Sequence, residues 1–425
     1  MEGRLSVNCK MTVQPLSEIK DRRDFADAFG TAMAGADQAL RSIWQFGRDQ
    51  NLPKSYLVEF HPKRNGHAAL GTTERLFEAL RQAETTFGSV VRRTKDDSLL
   101  YLSHNESANS AEFIIDSLNP RFLAFHTLSN AKATDRFIFN RLTQYHQEFD
   151  LFWLPVSLLE AVERRERVTG WEAAFEPLLD QARFAYREEE DQDVPDFEEL
   201  RDLEEEIPAA TPNHTRLRIN ILRPNAMNTY WQLKRESNVF PDVPLSSVLA
   251  ERFDNELTTQ ARARIKWNGK ITGRGTDFSA YSQIVNGTLD SYAGVVTSLE
   301  SNYSLGLTRC EEDYLGFGLK GSPFCVEFDS PINLDSVVNG MFNCVPPFRL
   351  MGEPEKLTDD YYVIDALDLH VGQPLAIELS PRLMRIYLYE GTCGNTIVRI
   401  LRSLQHYVDS NLSHPDLSTN NTRGV

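Results

Sequence analysis

Glu188–Glu206, EEEDQDVPDFEELRDLEEE, breaks the sequence near its middle. It holds twelve of the chain's 61 acidic residues and one Arg, a net charge of −11, so the rest of the chain carries only −5 of the formal −16. Ile207-Pro-Ala-Ala-Thr-Pro-Asn-His214 follows, with two prolines among small polar residues, which is the texture of a domain boundary. The sequence therefore predicts a mixed α/β (α+β) protein of two halves joined by an acidic linker. Its expected parts are an N-terminal lead over 1–16, an α/β domain over 17–187, the linker over 188–214, an α+β domain over 215–411 and a flexible tail over 412–425. Phe197, Leu200, Leu203 and Ile207 recur at helical spacing inside the run. The run thus reads as an extended linker, as a helix presented to a basic partner, or as an autoinhibitory strip over a basic part of the same chain.

A length of 425 residues supports two or three cores. The longest apolar runs, such as Leu151–Leu159, are under half of what crosses a bilayer, so no membrane role is expected. The N-terminus has no apolar signal-peptide core. Five cysteines without a Cys-x-x-Cys pair point to free thiols in a reducing, cytoplasmic setting.

Outward from the run, hydrophobic periodicity places helices over 17–46 (split at Gly30 and Gly35), 73–87 and 133–147. It places strands over 55–60, 89–93, 99–103, 112–115, 121–125 and 151–156, and two short helices reaching Tyr186. After the linker come a strand over 215–222 and a hairpin over 261–272 turning at Asn268-Gly269, the strongest short hairpin signal. A helix over 277–303, strands over 315–319 and 324–328 and a helix over 334–342 follow. An antiparallel meander then spans 362–370, 374–379 and 382–389. The last helix, 396–408, turns Ile397, Ile400, Leu401, Leu404 and Val408 toward a core.

Common catalytic signatures are missing: there is no P-loop, no H-E-x-x-H and no G-x-S-x-G. The G-x-G-x-x-G at Gly316, Gly318 and Gly321 precedes Ser322-Pro323 and a strand, so it reads as a turn. No metal set and no cofactor follow from any motif.

Three constellations remain. The hairpin gathers Arg262, Arg264, Lys266, Lys270 and Arg274 with no acid, and Trp267 beside them, a ribbon suited to phosphates with an aromatic for stacking. The loop Gly391-Thr392-Cys393-Gly394-Asn395 opens the last helix, where backbone N–H groups favour an anion. A thiol there is expected to be acidified, with His370 as its base if the fold joins them. Asp368 and His370 share a strand face, and Glu378 on the next strand completes an acid/His cluster for a metal or for general acid–base work. Arg399 and His406, seven apart on the last helix, read as a solvated face. The leading expectation is a non-catalytic interaction subunit with a protein partner and a nucleic-acid contact through the hairpin. The alternatives are a hydrolase or nuclease built on Asp368, His370 and Glu378, and a module for a small anionic ligand at 391–395.

Overall fold

The computed structural model describes residues 14–42, 52–61, 73–106, 109–175, 217–237, 243–254, 258–309 and 317–414; the acidic run lies outside them. The protein is mixed α/β, with two largely antiparallel sheets. The first sheet is built from β1 (Lys54–Phe60), β2 (Ser89–Arg93), β3 (Leu99–Glu106), β4 (Asn109–Asp116), β5 (Phe122–Thr127), β6 (Phe149–Leu151), β7 (Arg167–Phe175), β8 (Leu217–Leu222), β9 (Leu245–Asp254), β10 (Thr258–Lys266) and β11 (Lys270–Gly275). Their order is β2-β3-β4-β5-β1-β11-β10-β9-β7-β8, with β6 also on β1. The second sheet contains β12 (Ser304–Arg309), β13 (Phe317–Lys320), β14 (Phe324–Glu327), β15 (Leu350–Thr358), β16 (Tyr361–Asp368), β17 (Gln373–Ser380) and β18 (Leu383–Tyr389). Its order is β13-β12-β18-β17-β16-β15, with β14 also on β18.

Pairing in the first sheet runs across the span 188–214. β7 precedes it and β8 follows it, yet Trp171 lies opposite Ile221 and Ala173 opposite Ile219. β1 pairs β11 across more than two hundred residues, Lys54 opposite Thr272. The second sheet begins only after the helix Phe278–Tyr303.

Several local expectations are corrected. Gly30 and Gly35 do not split the first helix, which runs unbroken over Arg22–Ser42. An added Cβ at Gly30 would meet nothing nearer than Phe278 Cβ at 3.9 Å, so neither glycine marks a break. Up to Phe175, the stretch expected to be two short helices forms one helix, Val156–Glu160, a 3-10 turn and then β7; its remainder to Tyr186 lies outside the described residues. Val168, Trp171 and Ala173 are buried there because β7 pairs on both sides, a nonlocal fact that local periodicity does not carry. Leu412 and His414, expected in a loose tail, are buried. The His414 ring stacks on Phe324 at 3.7 Å, and Ser413 bridges Glu327.

The hairpin forms as read, with Ala261, Ala263 and Ile265 buried on one face. Gly269 takes a φ of +77°, and a Cβ there would lie 2.9 Å from Phe152, so this turn needs glycine. The hairpin is interior to the sheet, between β9 and β1, and is not an edge ribbon.

Helices Arg22–Ser42 and Phe278–Tyr303 cover one face of this sheet through Phe25, Phe29 and Phe278, which enclose His126. His126 Nδ1 shares a 2.8 Å hydrogen bond with Ser55 Oγ, which also meets Tyr281 OH at 2.8 Å. Burial lowers the His126 pKa to about 4, with Asp116 opposing and Arg22 adding to the effect. A folded pKa below the unfolded value of about 6.5 means that the unfolded chain binds the proton first as pH falls. Stability should therefore decline between about pH 6.5 and 4, by about 1.4 kcal/mol per pH unit for this residue. Comparing urea midpoints of the wild type and His126→Asn across that range checks it: the mutant's profile should be flatter.

Candidate metal centre

The charged residues that matter most sit inside apolar text. Glu59 is the charged member of the β1 run Ser55–Phe60 and is 0% exposed. Both of its oxygens lie within 3.3 Å of Cys393 Sγ, and each has a further partner. Oε1 accepts from Arg121 Nε at 2.7 Å and lies 2.6 Å from Arg121 Nη2. Oε2 faces Cys393 Sγ at 3.2 Å and His370 Nε2 at 3.5 Å. The donor atoms of Glu59, His370 and Cys393 all lie within 4.8 Å of one another, and all three residues are buried. A second set, His61, Glu300 and Cys393, meets the same limit and shares the sulfur.

His370 stands in the turn after β16, which ends at Asp368. The turn is fixed by His370 N–H donating to Asp368 Oδ1 at 2.9 Å. Its Nδ1 has no hydrogen-bond partner among the described residues, and its Nε2 is too loosely set against Glu59 for a formed hydrogen bond. Cys393 is held by its own N–H, which donates to Gln373 Oε1 at 2.6 Å. Arg121 also binds Glu300 through two nitrogens, at 2.9 and 2.5 Å.

Burial and the nearby Glu59 push the Cys393 thiol well above its ordinary pKa, which overrides the expected acidification at a helix start. Burial alone would raise the Glu59 carboxyl, but Arg121 and His370 hold it well below the usual carboxylate range. Burial lowers the His61 pKa to about 4. Without an ion, then, the thiol is neutral and donates to a charged Glu59 that Arg121 balances.

Behind this cluster lies a second buried network. Arg399, 0% exposed on the last helix, donates to Asp150 of β6 and to Asp368 of β16, and its Nε donates to the Phe348 carbonyl at 3.0 Å. Asn395 Nδ2 and Trp153 Nε1 also reach Asp150, at 3.1 and 3.2 Å. These bonds join a strand of each sheet through one guanidinium.

Asp368 and His370 are therefore close, but they face different partners. Glu378 is elsewhere: it lies opposite Val363, while Asp368 lies opposite Gln373, five residues or about 17 Å along the strand. Glu378 accepts from Arg385 at 2.9 Å. Cys393 and His370 do converge, through Glu59.

The loop 391–395 has its N–H groups turned inward. Those of Thr392, Cys393 and Gly394 donate to Tyr389 O, Gln373 Oε1 and Glu300 Oε1. The anion at this helix start is thus the protein's own Glu300. Thr392 Oγ1 donates to Tyr389 O at 2.6 Å, and Asn395 binds Asp150 and Tyr292.

In the hairpin, Arg262 pairs with Glu251 at 2.6 Å and Lys270 with Asp135 at 2.6 Å. Trp267 lies against His406 and Trp153. Arg264, Lys266 and Arg274 are half-buried on the same sheet face. The helix carrying Arg399 and His406 is buried along its whole length, so the expected solvated face does not exist. Gly318 lies within β13 and Gly321 turns toward β14 with φ +83°, a turn between strands; Gly316 lies outside the described residues.

Glu59, His61, Arg121, Asp150 and Glu300 escape a motif search because they are spread over some 240 positions. The available signal is a lone charge inside buried strand text, as with Glu59 in LVEF and Asp150 in FDLFW.

A cleft of about 330 Å³ opens beside the cluster, lined by His61, Arg121, Glu300, Lys320, Glu390 and Thr392 among others. Among the described residues no helix is long and apolar enough to cross a membrane. The chain is similar to the uncharacterized protein MJECL33 of Methanocaldococcus jannaschii, with 24% identity over 322 residues that cover 70% of this chain and 74% of that protein. The model of the MJECL33-like protein family matches residues 13–421, and the chain belongs to that family.

Proposed function

We propose that the protein is a metal-dependent hydrolase whose zinc-type ion is held by Cys393, His370 and Glu59 beside the cleft. The observation that carries this reading is the spacing of the three donor atoms. Oε2 of Glu59 is 3.2 Å from Cys393 Sγ and 3.5 Å from His370 Nε2. Tetrahedral ligands about 2.0–2.3 Å from zinc stand roughly 3.4–3.6 Å apart. A sulfur, a nitrogen and an oxygen suit a borderline-soft ion, and three protein ligands leave a fourth position for water. Gln373 on the Cys393 N–H fixes that ligand from behind, as outer partners of metal ligands do, while Arg121 balances the Glu59 charge when no ion is bound. His61 and Glu300 reach the sulfur from the cleft side and are placed to take a proton from such a water.

The nucleic-acid reading of the hairpin draws less support, because Arg262 and Lys270 are ion-paired and Trp267 is half-buried against His406 and Trp153. Metal-depleted and zinc-reloaded protein should be compared on chromogenic phosphodiester, phosphomonoester and carboxylic ester substrates. Turnover should appear only on reloading, and His61→Ala should reduce it with the ion retained. Turnover in no substrate class, or turnover untouched by His370→Ala, would sink the reading.

A further inference from the structure

Arg402 lies about two helical turns beyond the metal-site loop and takes no part in either network. It is 0% exposed, and its Nε, Nη1 and Nη2 have no hydrogen-bond partner among the described residues. A guanidinium carries five N–H donors and a fixed charge, so a dry site with no acceptor is strongly disfavoured. Its neighbours do not supply one. The cation lies over the Trp267 ring at 5.4 Å, and Trp267 also stacks on His406 at 5.4 Å. Burial lowers the Arg402 pKa to about 9.

Two further polar atoms on the same helix are equally idle. Ser403 Oγ and His406 Nδ1 are buried without partners among the described residues. By 3.6 residues per turn, Arg402, His406 and Ser403 fall within roughly 100° of helix arc. The other ring nitrogen of His406 is engaged by the backbone of Ala174. In the neutral ring that nitrogen carries the hydrogen, so Nδ1 is an acceptor. A group suited to these atoms would offer oxygens to Arg402 and an O–H to His406.

We propose that Arg402, Ser403 and His406 form a site for a hydrogen-phosphate group, inorganic or the head of a monoester. Arg402 binds two of its oxygens as a fork, Ser403 donates to one of them, and the P–OH donates to His406 Nδ1. A simple carboxylate has no O–H while charged and fills the site less well.

The test uses the full chain in a Cys393→Ser background, so that phosphate cannot act through the metal centre. Calorimetry and thermal unfolding with inorganic phosphate should be set against acetate and chloride at equal ionic strength, and phosphoserine separates a monoester from the free ion. The expected result is binding and stabilisation by phosphate above both controls, with affinity lowered at least about tenfold in Arg402→Met. Met is apolar and of similar length, so the variant should unfold no earlier than its parent without phosphate. Absence of phosphate heat in the parent, or a phosphate shift that survives Arg402→Met, would overturn the assignment.

Discussion

Arg399→Met is expected to destabilise the fold by about 3–5 kcal/mol, the usual consequence of stripping one partner from a buried ion network. Arg399 holds Asp150 and Asp368, each no more than 1% exposed, and also caps the Phe348 carbonyl. Burial alone would raise the Asp150 carboxyl, but Arg399, His370 and Arg349 bring it below its ordinary value, so it is charged at neutral pH. Without the guanidinium, two carboxylates face a dry interior with Arg349 alone, 3.4 Å from Asp150, in partial compensation. Because Asp150 belongs to the first sheet and Asp368 to the second, the loss should loosen their junction before either sheet melts. Urea unfolding followed by fluorescence measures this. The triple variant Arg399→Met, Asp150→Asn, Asp368→Asn should recover much of the loss, since it removes the stranded charges too. A single-mutant cost under about 1 kcal/mol would show that the network does not hold the sheets together.

The second large effect concerns Arg121. Arg121→Met should destabilise the metal-free protein by several kcal/mol, because Glu59 and Glu300 both lose their counter-charge. The same change should strengthen zinc binding, since two carboxylates then face the ion without a competing cation. Added zinc should therefore raise the unfolding midpoint of Arg121→Met by more than that of the wild type. Gln373→Ala, which removes the partner of the Cys393 N–H, should weaken zinc by about 10–100-fold with little effect on the metal-free fold. A purely structural ion cluster predicts no zinc response in any of these proteins, so the pair of variants separates the two accounts.

Local structure was largely legible in the sequence. The Asn268-Gly269 hairpin, the meander of β16, β17 and β18, and the apolar stripe of the last helix all rest on periodicity and turn chemistry, which are local. What escaped is nonlocal. β9, β12 and β15 carry no clean alternation that stands out: β9 is buried along most of its length between two neighbouring strands, whereas β12 is half-buried to exposed over 304–307 and the edge strand β15 is largely exposed, with only its Leu350 buried. The pairing of β7 with β8 and of β1 with β11 spans segments that composition set apart. Two of the three proposed ligands are visible in the sequence: His370 in the text after a strand and Cys393 in a glycine loop. Glu59, the residue that joins them, was hidden in a strand that reads as plain core, and Glu378 was drawn in by a spacing that the strand register does not honour.

The most direct test of the metal centre is the metal content of the purified full-length protein, beside Cys393→Ser prepared identically, before and after equilibration with zinc or cobalt. The wild type should carry or take up one ion per chain, with a thiolate-to-cobalt charge-transfer band, and Cys393→Ser should do neither. A wild-type protein that is metal-free and takes up neither ion would show that Glu59, His370 and Cys393 form only a hydrogen-bonded cluster.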